Sequence, residues 1–327
     1  MNAASAPTGR HALILPPNWL GDVVMAQPAM RAIALHHQHD RLSIHGRPWL
    51  GDVLPYLNLE PASFEAMMPA ADRAYLFPNS FGSAWRAWKG GCRQRIGYRG
   101  QWRLPLLSRA LRRRLSLRHQ HHRLYYLDIP AQLGIPIAEQ EVKLSCPVGD
   151  REAGIALMAS HGLNAEKAVC VAPGAQFGGA KRYPPESYAR ILSWLAEAGW
   201  QPIVLGVESE RDIGDQVLAG VNGPSWNATG QTALRQALQL TAACRLMLCN
   251  DSGFMHVAAG LGIPTVAMFG ATDPDRTSPS GPRVRLFYEP AACSPCLQRE
   301  CSVTGQPCMA NILPEAVRDA CLEMLAA

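Results

Sequence analysis

The sequence predicts an α/β protein built from two doubly wound, Rossmann-like domains. Three observations carry that expectation. Short apolar runs alternate with helix-like stretches, and the alternation starts afresh in the second half. Several runs end in polar, glycine-bearing turns, Asn18-Trp19-Leu20-Gly21-Asp22 and Asn250-Asp251-Ser252-Gly253 among them. Between residues 127 and 150 the pattern breaks, where Ile129-Pro130, Gly134-Ile135-Pro136 and Cys146-Pro147 interrupt any regular element. The expected domains are 1–148 and 149–327, with a final helix at 314–327 turning back toward the first domain. At 327 residues, each half is long enough to bury its own core.

In the first half, Ala12-Leu13-Ile14-Leu15 reads as a strand and Pro16 to Asp22 as the turn after it. A helix is predicted over 23–35, kinked or restarted at Pro28. Further strands are predicted at 41–45 and 74–78. The second ends in Asn79-Ser80-Phe81-Gly82-Ser83, before a helix at 84–89. Arg95-Ile96-Gly97-Tyr98-Arg99-Gly100 reads as a strand end and loop, and the arginine-rich run 109–123 as a surface loop and helix. His36, His37, His39 and His45 lack a fixed ligand spacing and fit a polar connection better than a metal site.

In the second half, a strand at 168–173 leads into a loop at 174–182. A helix opens at Pro185-Glu186-Ser187 and stops at Gly199. A strand at 202–206 and an amphipathic helix at 232–244 follow. Leu246-Met247-Leu248 reads as a buried parallel strand. The small and apolar residues 257–262 read as a packed helix, and 265–270 as another strand. In such sheets ligands sit at the carboxyl ends of the strands, here expected in a cleft between the halves.

Apolar content of 48% and charged content of 17% describe a globular protein, and the apolar runs fall far short of the roughly 20 residues of a bilayer span. Residues 1–11 are polar and carry no secretory signal, so a cytoplasmic location is expected. Cys170 and Cys249, two of ten cysteines, lie inside strand-like runs, where a free thiol behaves as a small hydrophobe. The net charge of +5 is unevenly spread. No Asp or Glu occurs from Arg73 to Leu127, while Arg86, Lys89, Arg93, Arg95, Arg99, Arg103, Arg109, Arg112, Arg113, Arg114, Arg118 and Arg123 all fall there. Such a segment implies an anionic partner, whether membrane surface, phosphorylated substrate or nucleic acid; a solvated basic face is the plainer alternative.

Four stretches bear candidate chemistry. Asp22, after the first strand, is a carboxylate at a helix start, where the dipole favours the anion; it can accept a proton from a hydroxyl or simply cap the helix. The loop Gly174-Ala175-Gln176-Phe177-Gly178-Gly179-Ala180-Lys181-Arg182 suits a diphosphate, with backbone N–H groups for geometry and Lys181 for charge. It lacks the spacing of a nucleotide-hydrolase P-loop. In the turn 250–256, Asp251 and His256 can address sugar hydroxyls, and Ser252 and Gly253 can offer N–H groups to phosphate. Asp273-Pro274-Asp275 formally matches a metal-holding Asp-x-Asp pair, but its proline favours a plain turn. Separately, Cys293-x2-Cys296-x4-Cys301-x6-Cys308 allows a structural zinc, with free thiols on a surface loop as the alternative.

These residues together resemble the lipopolysaccharide heptosyltransferases, glycosyltransferase family nine. The resemblance rests on Pro17-Asn18-Trp19-Leu20-Gly21-Asp22, on Arg95 to Gly100 with Trp102-Arg103, on Pro173-Gly174-Ala175 with Lys181-Arg182-Tyr183-Pro184, and on Asn250-Asp251-Ser252-Gly253 with Met255-His256. The cysteine pattern occurs in many members too. The match is ordered along nearly the whole chain, and the arginine motif points to the type II branch. The resemblance implies a GT-B fold with the acceptor on the N-terminal domain and a nucleotide sugar on the C-terminal one. It implies an inverting, metal-independent transfer from ADP-L-glycero-D-manno-heptose to the first inner-core heptose of Kdo-lipid A. Asp22 takes the place of the family's general base and Lys181 that of its phosphate-binding lysine. Gly174, Ala175, Asp251, Ser252, Gly253 and His256 fall at donor-binding positions. Asn18, Trp19, Arg95, Tyr98, Arg99 and Arg103 are expected on the acceptor side. The basic segment would then serve the acceptor's anionic groups and the cytoplasmic face of the inner membrane, with no nucleic acid involved.

Competing readings are a related core transferase with another acceptor, of type I or III, a nucleic-acid binder using the arginine segment, and a catalytically silent nucleotide-sugar module that tolerates Asp22→Asn.

Overall fold

The computed structural model describes residues 9–114 and 119–327. The polar residues before Gly9, and Arg118 of the basic run, lie outside the described residues. The chain divides into two compact units, Met1–Lys143 and Leu144–Ala327. The second begins before Pro147, because the Leu144 amide already bonds the Gly260 carbonyl at 3.0 Å.

The first unit holds strands β1 (His11–Leu15), β2 (Arg41–His45), β3 (Ser63–Glu65), β4 (Arg73–Leu76), β5 (Gln94–Tyr98) and β6 (Arg109–Leu111). Its helices are α1 (Leu20–His36), α2 (Leu50–Val53), α3 (Phe81–Lys89) and α4 (His122–Gln132). The strands form one parallel sheet in the order β3-β2-β1-β4-β5-β6. Alternate side chains go to opposite faces, so Leu13, Leu15, Ala74 and Leu76 build one core with Ala84 and Ala87 of α3. Pro28 interrupts neither hydrogen-bonded helix nor burial, and α1 runs through it as a single element packed on α4. Pro130 is likewise carried inside α4, where Ile129 and Pro130 are buried, so the break expected there is a helix. The run at 109–123 opens as edge strand β6 rather than a loop, paired with Ile96, Gly97 and Tyr98.

The second unit holds β7 (Ala168–Ala172), β8 (Gln201–Val204), β9 (Trp226–Asn227), β10 (Leu246–Asn250), β11 (Thr265–Phe269) and β12 (Val284–Tyr288). Its helices are α5 (Asp150–Ser160), α6 (Pro185–Glu197), α7 (Arg211–Leu218), α8 (Leu234–Ala243), α9 (Gly253–Gly260), α10 (Pro274–Thr277), α11 (Pro307–Ala310) and α12 (Pro314–Ala326). The sheet is parallel again, in the order β12-β11-β10-β7-β8-β9. Central strands β7, β10 and β11 are buried along their whole length, which is why they read as unbroken apolar runs. Cys170, Ala172, Met247 and Cys249 face the side where α5, α8 and α9 pack on one another; Val169, Val171, Leu246 and Leu248 face α6 and α12. The final helix α12 spends its buried face, Val317, Cys321 and Leu325, on α6 and strands β10 and β11 of its own unit.

Both units therefore share one topology. Counted from its own first strand, each sheet runs 3-2-1-4-5-6, so each has a topological switch point between its first and fourth strands.

Candidate functional site

In the first unit the switch-point turns follow β1 and β4. After β1 the chain passes Pro16 and Pro17 into an exposed Asn18 and Trp19, and α1 begins at Leu20. Asp22 lies in the first turn of α1, where the helix dipole stabilises a carboxylate. Its Oδ1 accepts a hydrogen bond from the Tyr126 hydroxyl at 3.0 Å. Burial holds the Tyr126 phenol far above its ordinary pKa, and the neighbouring Asp22 charge adds to the shift. Tyr126 thus stays protonated and remains a donor. Tyr126 comes from α4, 104 residues away in sequence, and no local motif announces it.

After β4, Asn79 and Ser80 lead into α3. Ser80 is a true cap, its Oγ accepting from the Ser83 amide at 3.2 Å. This turn is held by Arg103, which is fully buried. Its guanidinium donates to the Tyr98 carbonyl from Nε at 2.8 Å and Nη2 at 2.6 Å, to the Pro78 carbonyl, to Ser83 Oγ at 3.3 Å and to Asn79 Oδ1 at 3.3 Å. Burial lowers its pKa to about 10, which leaves it charged at neutral pH. Arg103, expected on the acceptor side, ties the end of β5 to the turn after β4 and is buried there. Tyr98 is buried too, and its hydroxyl donates to Asp128 Oδ2 at 2.9 Å. Arg95 is half-buried, with Nε on the Leu106 carbonyl and Nη1 on the Cys92 carbonyl, both at 2.5 Å. Of the expected acceptor residues, Asn18, Trp19 and Arg99 are exposed.

In the second unit the switch-point turns follow β7 and β10, and they bring the sequence-predicted donor residues together. Lys181 Nζ lies 2.5 Å from Asp251 Oδ2, and Thr272 Oγ1 donates to the same oxygen at 2.6 Å. Lys181 and Asp251 had separate expected tasks; the structure makes them a largely buried ion pair. An ammonium carries three protons, so one bond to Asp251 aims Lys181 and leaves donors for a phosphate. The Lys181 ammonium also sits 4.9 Å from the centre of the Phe177 ring.

The α9 turn differs from a plain capped helix. Ser252 is at the N-cap but its side chain makes no capping bond, and its buried Oγ has no hydrogen-bond partner among the described residues. The first amides of a helix have no partner within it, so this end is open to an anion. His256 lies buried one turn into α9. Asn250 builds the scaffold beneath: its Oδ1 accepts from the Tyr183 amide at 3.1 Å and the Tyr188 hydroxyl at 3.0 Å, and its Nδ2 donates to the Pro173 carbonyl at 2.6 Å. Through Asn250, the turn after β10 grips the start of the loop after β7.

That loop needs glycine at two places. A Cβ at Gly174 would strike the carboxylate of Glu210, and one at Gly178, at φ +152°, would strike the Arg299 carbonyl. The loop is clamped from outside by the cysteine-bearing segment. The Ala180 amide donates to the Arg299 carbonyl at 2.9 Å, and Gln306 Nε2 reaches the carbonyls of Gly179, Ala180 and Arg182 at 3.3, 2.8 and 3.2 Å. Gln306 and Thr272 were not legible as site residues, because each acts on residues distant in the sequence.

Two expectations give way here. The four cysteines differ in setting: Cys293 is exposed, Cys296 and Cys301 are half-buried, and Cys308 is buried beside Gly270. Among the described residues no group of three or more His, Cys, Asp or Glu is placed to hold a metal, so the zinc reading is withdrawn. Asp273 caps the short α10, its Oδ1 accepting from the Asp275 amide at 3.0 Å. A cavity of about 620 Å³ lies between the 174–182 loop and the cysteine segment, lined by Pro173, Arg182, Pro184, Glu300 and Gln306. Neither Lys181, Asp251, Ser252 nor His256 lines it, so it is not where the donor groups converge.

Comparison with known proteins fits this geometry. The sequence profile of glycosyltransferase family 9 (heptosyltransferase) matches residues 66–306. Lipopolysaccharide heptosyltransferase 2 of Escherichia coli K12 is 30% identical over 317 residues, spanning 84% of this chain and 87% of that protein. The protein of the same name from Salmonella typhimurium LT2 is 30% identical over the same extent. The solved structure of E. coli ADP-heptose LPS heptosyltransferase II covers 97% of this chain and 98% of its own, with TM-score 0.80 and 26% identity. A fold shared over that extent is GT-B, and the chain is a glycosyltransferase. With its profile matched over most of its length and its two switch points built as described, the chain belongs to glycosyltransferase family 9, the heptosyltransferases.

Proposed function

We propose that the chain moves L-glycero-D-manno-heptose from ADP-heptose to the first inner-core heptose of Kdo-lipid A, inverting the anomeric centre. The observation that carries the donor half is the uncapped α9 turn, with the unpartnered Ser252 Oγ beside the Lys181–Asp251 pair. A helix start with spare amides and a lysine aimed by a carboxylate is a site for a diphosphate. Gly174, Ala175, Gly253 and His256 belong to the same two turns.

The chemistry follows from inversion. The acceptor hydroxyl gives its proton to Asp22 as its oxygen bonds to the anomeric carbon. The bond from that carbon to the diphosphate oxygen breaks on the opposite face, and ADP leaves with the electron pair. Charge growing on ADP is met by the α9 amides and Lys181, fixed dipoles and a fixed cation that need no reorganisation. These groups stand in for a divalent ion, and transfer is expected to survive a strong chelator. Loss restored by Mg²⁺ would return attention to Asp273 and Asp275. Tyr126 holds the Asp22 carboxylate in one orientation. Asn18, Trp19 and Arg99 serve the acceptor by direct contact, with Arg95, Tyr98 and Arg103 shaping the turns around it.

No helix among the described residues is long and apolar enough to cross a membrane. We place the chain on the cytoplasmic face of the inner membrane as a peripheral protein, because its acceptor is lipid-anchored and its segment 73–127 is free of acidic residues. The deciding experiment offers ADP-heptose with core acceptors bearing none, one or two heptoses. Transfer confined to the acceptor with one heptose supports the type II reading. Transfer to the bare acceptor would replace it with type I, and transfer to the acceptor with two heptoses with type III.

A further inference from the structure

Helix α3 carries a surface that the transfer chemistry does not use. Its inward residues are small, Ser83, Ala84 and Ala87. Its large residues point outward: Phe81, Trp85 and Trp88 are 45%, 43% and 49% exposed. They stand at i, i+4 and i+7, along one stripe of the helix. The rings touch in series, Phe81 to Trp85 at 6.2 Å and Trp85 to Trp88 at 4.9 Å between centroids. The stripe extends beyond the helix. The turn carrying Leu104, 57% exposed, packs beside α3, and the preceding Trp102 is 93% exposed at φ +59°. Arg103, between them, is bonded to Ser83 Oγ and to the Pro78 carbonyl, so the Trp102 loop is fastened to the start of α3. Single exposed apolar residues are ordinary; a contiguous aromatic stripe on a helix with a small-residue inner face is not.

The charges beside this stripe decide what it fits. Arg86 and Lys89 are exposed on α3, Arg99 is exposed in the adjoining loop, and no carboxylate occurs from Arg73 to Leu127. Indole rings with cations between them, and no acid to repel phosphate, match the interfacial zone of a lipid bilayer. There the rings sit at headgroup level and the cations face anionic lipid. A partner protein would find no carboxylate to pair with anywhere from Arg73 to Leu127.

We propose that the outer face of α3, with Trp102 and Leu104, is the surface by which the first unit docks on an anionic phospholipid bilayer. The assignment rests on the peripheral-membrane reading above and names the residues that carry it. Trp85 and Trp88 supply the apolar grip, and Arg86 and Lys89 supply attraction to anionic headgroups.

Vesicle co-sedimentation of the full chain tests it, using phosphatidylcholine vesicles with and without phosphatidylglycerol. The unaltered chain is expected to bind the phosphatidylglycerol vesicles, and to release as salt rises. Trp85→Ser with Trp88→Ser, both at exposed positions, is expected to weaken that binding roughly tenfold or more. The Arg86→Gln with Lys89→Gln variant is expected to lose most of its preference for anionic vesicles. Transfer to a soluble, lipid-free core acceptor stays within about twofold in the double serine variant, which separates docking from folding or catalysis. If the double serine variant binds like the unaltered chain, the α3 assignment falls while peripheral binding stands. If the unaltered chain binds neither vesicle, both fall together. If the unaltered chain is a dimer that the serine substitutions dissolve, with no effect on vesicle binding, the stripe is a contact between copies and the proposal is overturned.

Discussion

The two units are built on the same strand order yet close their fourth-strand turns in opposite ways. After β4, Ser80 caps α3 with its own side chain, and Asn79 is engaged by Arg103 and by the Tyr125 hydroxyl, to which its Nδ2 lies at 2.6 Å. After β10, Ser252 stands at the same place in the topology but caps nothing, and the lysine beside it is aimed by Asp251. A satisfied helix start is a structural joint; an unsatisfied one, flanked by a fixed cation, suits an anion. The first-strand turns diverge too. The turn after β1 supplies a carboxylate bonded by Tyr126, and the loop after β7 supplies a cation paired with Asp251. In the proposed mechanism one topology serves proton removal in one half and anion stabilisation in the other.

Substitutions at matched places should widen this contrast. The largest effect is expected from Asp22→Asn, which removes the proton acceptor: transfer falls by ~10³-fold in a radiolabelled heptose assay. Full activity in that variant would take the base out of the first unit. Lys181→Ala comes next, with kcat/KM down ~10²-fold and weaker donor binding. Lys181→Arg is not expected to restore it, since the site holds a compact ammonium against Asp251 and Phe177. Tyr126→Phe should cost about tenfold in kcat, because a hydrogen bond to a charged carboxylate is lost.

The pH dependence of Tyr126 has a definite sign. Its folded pKa is raised, so its contribution to stability is complete below the unfolded phenol value of about 10. That contribution is lost as pH climbs toward the folded value. Urea unfolding should therefore find Tyr126→Phe less sensitive to alkali than the unaltered chain between pH 8 and pH 11, and no more sensitive to acid. The smallest effects come from the paired serines. Ser80→Ala is expected to cost about 1 kcal/mol of stability, the usual worth of a cap, with donor affinity unchanged. Ser252→Ala should leave stability nearly untouched, as its hydroxyl has no partner to lose, and weaken ADP-heptose binding by roughly tenfold. The reverse pattern would erase the distinction between the two turns.

Much of this was legible in the sequence, and the reason is locality. The turns at 16–22, 174–182 and 250–256 each announce themselves within ten residues, because strand end, glycine and capping residue are neighbours in the chain. The buried strands β7, β10 and β11 read as apolar runs for the same reason. Edge strands β6, β9 and β12 did not, since they are short or half-exposed and lack a continuous apolar signal. Arg103 and Tyr98 were expected on the acceptor side because they fall in the motif that carries the family resemblance. Only the fold reveals that carbonyls of Pro78 and Tyr98 consume the guanidinium. Tyr126, Thr272 and Gln306 were silent because each reaches its partner over a long stretch of chain. The cysteine spacing suggested zinc, but spacing does not fix side-chain placement, and among the described residues no group of three or more such ligands is placed to hold a metal.

Calorimetric titration of ADP-heptose into the Asp22→Asn and Lys181→Ala chains, side by side with their transfer rates, tests the division between the halves most directly. The expected result is donor affinity within about twofold of the unaltered chain for Asp22→Asn, despite lost transfer, and clearly reduced affinity for Lys181→Ala. Donor affinity lost in Asp22→Asn and kept in Lys181→Ala would contradict it.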